Sequence, residues 1–136
     1  MFPMVLLAVA CAAPVPKNLK ANDQAAIVGK WELTSATVSG QPYESAHGTK
    51  WTLAADGTAV RDRKEGTATA KYTLDPTADP KTFDWHTDEG NTFVGAYSLT
   101  GDTFRVSLRL KGSKRPKSDT DTADGAYVFE FKRMRE

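Results

Sequence analysis

The sequence predicts an all-β domain, an antiparallel barrel or sandwich of about eight strands, and three observations support that class. Apolar and polar residues alternate with a period of two in segment after segment, which is typical of half-buried strands. Turn residues separate these segments at spacings of about 8–12 residues. The chain has 136 residues and a formal net charge of +1, so it fits one domain with one core.

The clearest element is a hairpin formed by residues 92–110. Its second half directs one apolar series to a single face, namely Phe104, Val106, Leu108 and Leu110. Its first half repeats that rhythm from Phe93 to Leu99, and Thr100-Gly101-Asp102 between the halves supplies turn chemistry. The hairpin is long enough to cross a small barrel or sandwich.

Six further strands follow from the same alternation, at Trp31–Ser35, Trp51–Leu53, Thr58–Lys64, Ala68–Leu74, Phe83–His86 and Tyr127–Arg133. In the first of them, Trp31, Leu33 and Ser35 are predicted to share one face. The third is polar enough to lie at an edge or at a wet rim. These six strands and the two of the hairpin make eight.

Residues 1–16 differ from the rest of the chain: a short apolar block ends in small residues and two prolines, as in a secretory leader. Ala8-Val9-Ala10-Cys11 within it resembles a bacterial lipobox, in which the cysteine carries the lipid. The sequence therefore predicts an extracytoplasmic protein, either a cell-envelope lipoprotein anchored through Cys11 or a secreted protein. A cytosolic apolar leader or a misassigned start is the third alternative.

No apolar run approaches the roughly 20 residues that cross a bilayer as a helix, so membrane contact is expected only through the lipid anchor. Residues 17–23 are polar and are predicted to form a tether, and residues 24–136 form the β domain. Asn22 or Asp23 can cap a short helical turn, which Gly29 would end.

The charge balance, 18 Lys and Arg against 17 Asp and Glu, supplies no field that would attract nucleic acid. The single cysteine, Cys11, excludes an internal disulfide and a cysteine zinc site. The long loop of residues 111–125 is basic in its first half, around Arg115, and acidic in its second, and the two halves are predicted to pair. No aromatic residue is interleaved with the basic cluster, which argues against single-strand nucleic-acid binding.

Asp84, His86 and Asp88 share one strand face, with alternate residues about 6.6 Å apart. Carboxylate and imidazole groups at that spacing could hold a divalent metal or run acid–base chemistry in a metal-assisted hydrolase or lyase. The alternative is a solvent face opposite Phe83 and Trp85. The chain has no Gly-x-Ser-x-Gly motif. No catalytic residue is therefore assigned, and no cofactor or metal is expected.

Gly29-Lys30-Trp31 opens the first strand after the short helical turn. This placement resembles the Gly-x-Trp signature of the lipocalin and calycin barrels, in which a basic residue of the last strand packs across the tryptophan at the closed end. Arg133 shares the face of Phe129 and Phe131, so the resemblance implies that Arg133 stacks on Trp31. Such a cation–π contact contributes about 0.5–2 kcal/mol.

Over residues 24–133 the chain is similar to an uncharacterised lipocalin-like domain family that is abundant in planctomycete bacteria and often carried on predicted lipoproteins. The matching motifs are Gly29-x-Trp31, Asp75-Pro76, Asp79-Pro80-Lys81, Phe83-Asp84, Gly95-Ala96-Tyr97-Ser98-Leu99-x-Gly101-Asp102-x-Phe104, Arg115-Pro116 and Phe131-Lys132-Arg133. The family usually has Ile in place of Ala96. It also usually has an aromatic residue soon after the Arg-Pro pair, whereas this chain has Lys117-Ser118-Asp119 there. The resemblance implies an eight-stranded antiparallel lipocalin-like barrel with a short N-terminal helical turn, and no established activity.

The interior of an eight-stranded barrel is either just filled by side chains or just able to hold one small ligand. If a cavity exists, its walls nearest the open end are predicted to be aromatic, at Trp51, Tyr72, Trp85 and Tyr97. The sequence thus predicts a non-enzymatic cell-envelope binding module for a small apolar or amphipathic ligand. The alternative is a structural or partner-docking domain with a filled core, and no oligomeric state is predicted.

Overall fold

The structure is a computed structural model that describes residues 23–134. The predicted leader with Cys11, and residues 17–22 of the predicted tether, lie outside the described residues. Asp23, assigned to the tether from the sequence, instead begins helix α1 (Asp23–Ala26) and is buried. The folded domain therefore includes Asp23, whose carboxylate bonds to the barrel.

Nine strands follow α1 within residues 23–134, at β1 (Gly29–Val38), β2 (Gln41–Pro42), β3 (Lys50–Leu53), β4 (Thr58–Arg63), β5 (Gly66–Asp75), β6 (Thr82–Thr87), β7 (Thr92–Thr100), β8 (Thr103–Leu110) and β9 (Tyr127–Arg133). β1 pairs with β3, each strand from β3 to β8 pairs with the next, and β9 pairs back onto β1. All pairings are antiparallel, and the two-residue β2 pairs only with the end of β1. The predicted all-β, eight-stranded antiparallel barrel is confirmed.

Helical structure in the described part of the chain is limited to α1 and two 3₁₀ turns, Glu44–Ala46 and Ala123–Gly125. The predicted short N-terminal helical turn is therefore confirmed. None of these segments has the length and apolar character that a membrane-spanning helix needs.

A register shift in β1 changes which residues face the interior. Trp31 pairs with Arg133 and Leu33 with Phe131, but the register slips between Leu33 and Ser35. Ser35 then pairs with Glu130 and is exposed. The prediction that Ser35 shares the face of Trp31 is wrong, because a β-bulge inserts one residue and reverses the alternation beyond it.

The half of the barrel next to α1 is filled with side chains and is called the closed end. Trp31, Phe83, Phe104 and Phe131 have no exposed surface, and their rings contact each other directly. A Cβ at Gly95 would collide with the carbonyl oxygen of Ser107 and lie 2.7 Å from Leu108 Cδ2. A larger residue at Gly95 would therefore displace the neighbouring strand.

Arg133 and Trp31 seal the closed end. The guanidinium carbon lies 4.3 Å from the centre of the indole ring, so the predicted stacking is confirmed. Arg133 donates hydrogen bonds to the carbonyl oxygens of Val28 at 3.0 Å and Ala26 at 2.5 Å, and the Trp31 indole N–H donates to Ile27 O at 2.9 Å. The tryptophan and the arginine thus hold the segment that leaves α1 against the barrel.

A second contact joins the start of α1 to the barrel. The Asp23 carboxylate accepts hydrogen bonds from the Tyr97 hydroxyl at 2.7 Å and from Lys81 Nζ at 2.9 Å. Burial raises the pKa of the Tyr97 phenol far above its ordinary value, and the hydrogen bond to Asp23 raises it further. Tyr97 therefore stays protonated and serves as a donor.

The loop of residues 111–125 is tied to the outer surface of the barrel by strand residues. Arg109 is buried, donates to the carbonyl oxygens of Ala123 at 2.9 Å and Lys114 at 2.8 Å, and pairs with Asp121 at 3.0 Å. Arg115 pairs with Asp84 of β6. The prediction that the side chains of the two halves pair with each other is wrong for these residues, because the strands beneath the loop present closer opposite charges.

Candidate ligand cavity at the open end of the barrel

The end of the barrel opposite α1, here called the open end, contains a cavity of about 140 Å³. Half of its 14 lining residues are aromatic, and these form the aromatic wall, namely Tyr43, Trp51, Trp85, Phe93, Tyr127, Phe129 and Phe131. An apolar cavity of about 150 Å³ is large enough to bind benzene. The cavity therefore matches a ring-sized group, and a longer ligand would extend from its mouth.

The aromatic wall is preformed because its rings pack on one another. Trp51 stacks on Trp85 with ring centres 4.1 Å apart, and Phe131 lies 4.5 Å from Trp51. Nearer the mouth, Tyr127 contacts Tyr43 at 5.8 Å. Rings held in this way expose flat apolar surface without losing much side-chain freedom when a ligand binds.

Only two of the four aromatic residues that the sequence predicted to line a cavity do so. Trp51 and Trp85 line it, whereas Tyr72 and Tyr97 lie outside it. The hydroxyl of Tyr72 donates to Ala54 O at 2.6 Å, and that of Tyr97 is bonded to Asp23 at the closed end. The prediction is therefore corrected for the two tyrosines, because strand alternation assigns a residue to the inner face but not to one end of the barrel.

Sequence reasoning missed two arginines in the cavity lining, Arg61 and Arg63 of β4. Ala59, two residues before Arg61, is buried, and Arg61 pairs in register with the inward Trp51 of β3. The available signal was the alternation from Ala59, which places both arginines on the inner face. The sequence predicted that this strand lies at an edge or at a wet rim. β4 is not an edge strand, because it pairs with β3 on one side and β5 on the other. Its two arginines line the cavity at the rim of the barrel.

Both guanidinium groups are partly desolvated. Their Nε atoms are buried and find no hydrogen-bond partner among residues 23–134. Burial lowers the pKa of Arg61, the charge of Arg63 lowers it further, and the charges of Glu89 and Glu65 raise it. Arginine remains protonated at neutral pH, so the mouth of the cavity carries two positive charges.

A polar groove of about 310 Å³ adjoins the cavity and shares Arg61, Trp85 and Thr87 with it. Its other walls include Asp88 and Glu89. A ligand at the mouth of the cavity would therefore contact the aromatic wall on one side of Arg61 and the polar groove on the other.

The three candidates for metal or acid–base chemistry each have a separate partner. Asp84 pairs with Arg115 at 2.6 Å, and His86 Nδ1 lies 3.1 Å from the Thr92 hydroxyl. Asp88 accepts a hydrogen bond from the hydroxyl of Thr69. Among residues 23–134, no group of three or more His, Cys, Asp or Glu side chains is placed to hold a metal ion.

A closed antiparallel barrel with a small apolar cavity at one end defines a class of proteins whose architecture suits the binding of small molecules. The chain belongs to the lipocalin-like domain family, whose sequence profile matches residues 27–133. The family expected from the Gly-x-Trp motif is thus confirmed as a lipocalin-like domain.

The structure is similar to the crystal structure of a DUF4847 family protein from Bacteroides vulgatus. The TM-score is 0.50 and the sequence identity 15%, over 79% of this chain and 94% of that chain. At this identity the similarity concerns the fold alone. A search of curated proteins found no match to the chain.

Proposed function

We propose that the protein is a non-enzymatic binding module of the cell envelope that holds a small apolar or amphipathic ligand in the open-end cavity. The observation that carries the proposal is the cavity of about 140 Å³, bounded by the aromatic wall. Its flat rings would cover the apolar part of a ligand, with Trp51 and Trp85 stacked as one side of the cavity.

The proposed location at the cell envelope rests on the sequence of the N-terminal segment. The apolar leader of residues 1–16 and the lipobox-like Ala8-Val9-Ala10-Cys11 support an extracytoplasmic location, with a lipid on Cys11 as the membrane anchor. The resemblance to a planctomycete family that is often carried on predicted lipoproteins supports the same address. A binding domain on a short tether would sample ligands close to the membrane surface.

The cavity favours binding over the alternative of a docking domain with a completely filled core. The structure does not favour the hydrolase or lyase alternative, because Asp84, His86 and Asp88 are each engaged by a different neighbour. A negative binding experiment would support the alternative, a structural or partner-docking domain.

The test is calorimetric titration of the purified protein with 3-phenyl-1-propanol, a neutral compound with one ring and a polar end, accompanied by thermal melts. Binding should raise the stability by RT ln(1 + [L]/Kd), about 2.7 kcal/mol at 100 times Kd. Leu33→Trp would fill the cavity and should weaken binding at least about tenfold. Val60→Trp, on the outer face of β4, adds the same ring outside the cavity and is the matched control.

If the neutral compound and a panel of ring-sized apolar molecules neither titrate nor shift the melt, the binding function is overturned in favour of the structural alternative. Equal loss of binding in the Leu33→Trp and Val60→Trp variants would place the ligand outside the cavity.

A further inference from the structure

We infer that Arg61 and Arg63 select a ligand with a carboxylate head group, so that the cavity takes a small organic acid with a ring-sized apolar part. The inference rests on the proposed function and adds the chemical class of its ligand. Both arginines line the cavity, and Arg61 lies beside Trp51 in the register of β3 and β4.

The two arginines differ from every other arginine that the structure describes. Four others each form an ion pair with a carboxylate, and these are Arg105, Arg109, Arg115 and Arg133. No such pair joins Arg61 or Arg63 to a described carboxylate, and their Nε atoms are buried without a partner in residues 23–134. Buried donors in folded proteins nearly always have partners, so these two call for an acceptor that the described chain does not supply.

The geometry suits one carboxylate at the mouth. Arg61 and Arg63 are alternate residues on one strand face, about 6.6 Å apart along β4, so one or both can turn a guanidinium towards the same head group. A guanidinium binds a carboxylate through two parallel N–H···O bonds. The adjoining apolar wall lowers the local dielectric constant, which strengthens those bonds.

The surrounding charges restrict the head group to a small one. Glu89 and Glu65 raise the pKa of Arg61, and Asp88 and Glu89 line the polar groove beside it. A second negative charge that reached into the groove would meet these carboxylates. A single carboxylate directed at the arginines, with its ring against Trp51 and Trp85, avoids that repulsion.

The experiment compares three compounds with the same ring and chain: 3-phenylpropanoate, 3-phenyl-1-propanol and 3-phenylpropylamine. Calorimetry on the wild-type protein should give a Kd for the carboxylate at least about tenfold lower than for the alcohol, and the amine should bind most weakly. Arg61→Gln and Arg63→Gln should each weaken the carboxylate about tenfold and change the alcohol by less than about threefold.

Two variants control for charge and folding. Lys64→Gln removes a positive charge at the same end of the barrel from a residue outside the cavity lining, and it should leave the carboxylate Kd within about twofold. Arg63→Lys keeps the charge but loses the fork, so its affinity should lie between those of the wild type and Arg63→Gln. Melts of each variant verify that it folds.

The outcomes separate the two proposals. Equal affinity for carboxylate and alcohol, unaffected by either Gln variant, overturns the role of the arginines and leaves the binding function in place. Binding of the carboxylate that falls equally in Lys64→Gln and the arginine variants would indicate general charge attraction and also overturn the inference. If none of the three compounds binds, the inference about the arginines is overturned, and the panel of ring-sized apolar molecules then decides whether the proposed function stands.

Discussion

The two ends of the barrel treat their charged side chains in opposite ways. At the closed end, Asp23 is bonded to Tyr97 and Lys81, and Arg133 is bonded to two backbone carbonyl oxygens. At the open end, Arg61 and Arg63 are partly buried with Nε atoms that no group in residues 23–134 accepts from. The closed end is thus arranged for stability, whereas the open end tolerates a destabilising arrangement of the kind that binding sites retain.

The difference has a structural origin. α1 and the segment after it lie across the closed end and supply carbonyl oxygens and a carboxylate to the barrel side chains. The open end is bounded by the 3₁₀ turn Glu44–Ala46 and by the ends of the strands. The aromatic side chains there do not fill the interior, and the cavity lies between them. The following predictions test whether the two ends differ in energy as they do in structure.

The largest effect is expected at Trp31. Trp31→Ala should lower the free energy of unfolding by about 3–5 kcal/mol, because it empties a fully buried site and removes the surface on which Arg133 stacks. Tyr43→Ala at the open end should lower it by only about 1 kcal/mol, since that residue is partly exposed. Urea denaturation measures both. An unchanged denaturation curve for Trp31→Ala would contradict the stabilising role assigned to the contact between Trp31 and Arg133.

An intermediate effect is expected at Tyr97. Tyr97→Phe should lower the free energy of unfolding at neutral pH by about 1–3 kcal/mol, because the buried Asp23 carboxylate loses a donor. The pKa of Tyr97 is raised in the folded state, so the unfolded chain, with a pKa of about 10, releases this proton first. The contribution of Tyr97 is therefore complete below about pH 10 and declines as the pH rises further.

Urea denaturation between pH 8 and pH 11 checks this dependence. The wild type should lose stability more steeply than Tyr97→Phe above about pH 10. Tyr43→Phe is the control, since Tyr43 lies at the open end and its substitution retains the Asp23 contact. Parallel curves for the wild type and Tyr97→Phe would contradict the assigned role of the hydroxyl.

The smallest effect is expected at Arg61. Arg61→Met should leave the free energy of unfolding unchanged or raise it by up to about 1 kcal/mol, because it removes a desolvated donor without breaking an ion pair. Arg133→Met should lower it by about 1–3 kcal/mol, since that guanidinium donates two hydrogen bonds, pairs with Asp102 and stacks on Trp31. Equal losses in the two variants would mean that the ends do not differ energetically.

Much of the closed end could be predicted from local sequence patterns. Strand alternation and turn residues act over a few positions, so they place the strands and their inner faces without knowledge of the rest of the chain. The stacking of Arg133 on Trp31 could be predicted because the two residues belong to family motifs on the first and last strands, which pair with each other when the barrel closes. The bulge after Leu33 could not, because it depends on how β1 fits against β9.

The sequence by itself determined the fold class and the aromatic inner face, because both depend on short-range periodicity, and the Gly-x-Trp motif was identified in it by resemblance. Only the tertiary structure decided the height of each residue in the barrel and the identity of each charge partner. It placed Tyr97 against Asp23 and Arg115 against Asp84, and it left Arg61 beside the cavity. These contacts join residues that are distant in the chain, and they arise from strand register and loop paths, which no period of two encodes.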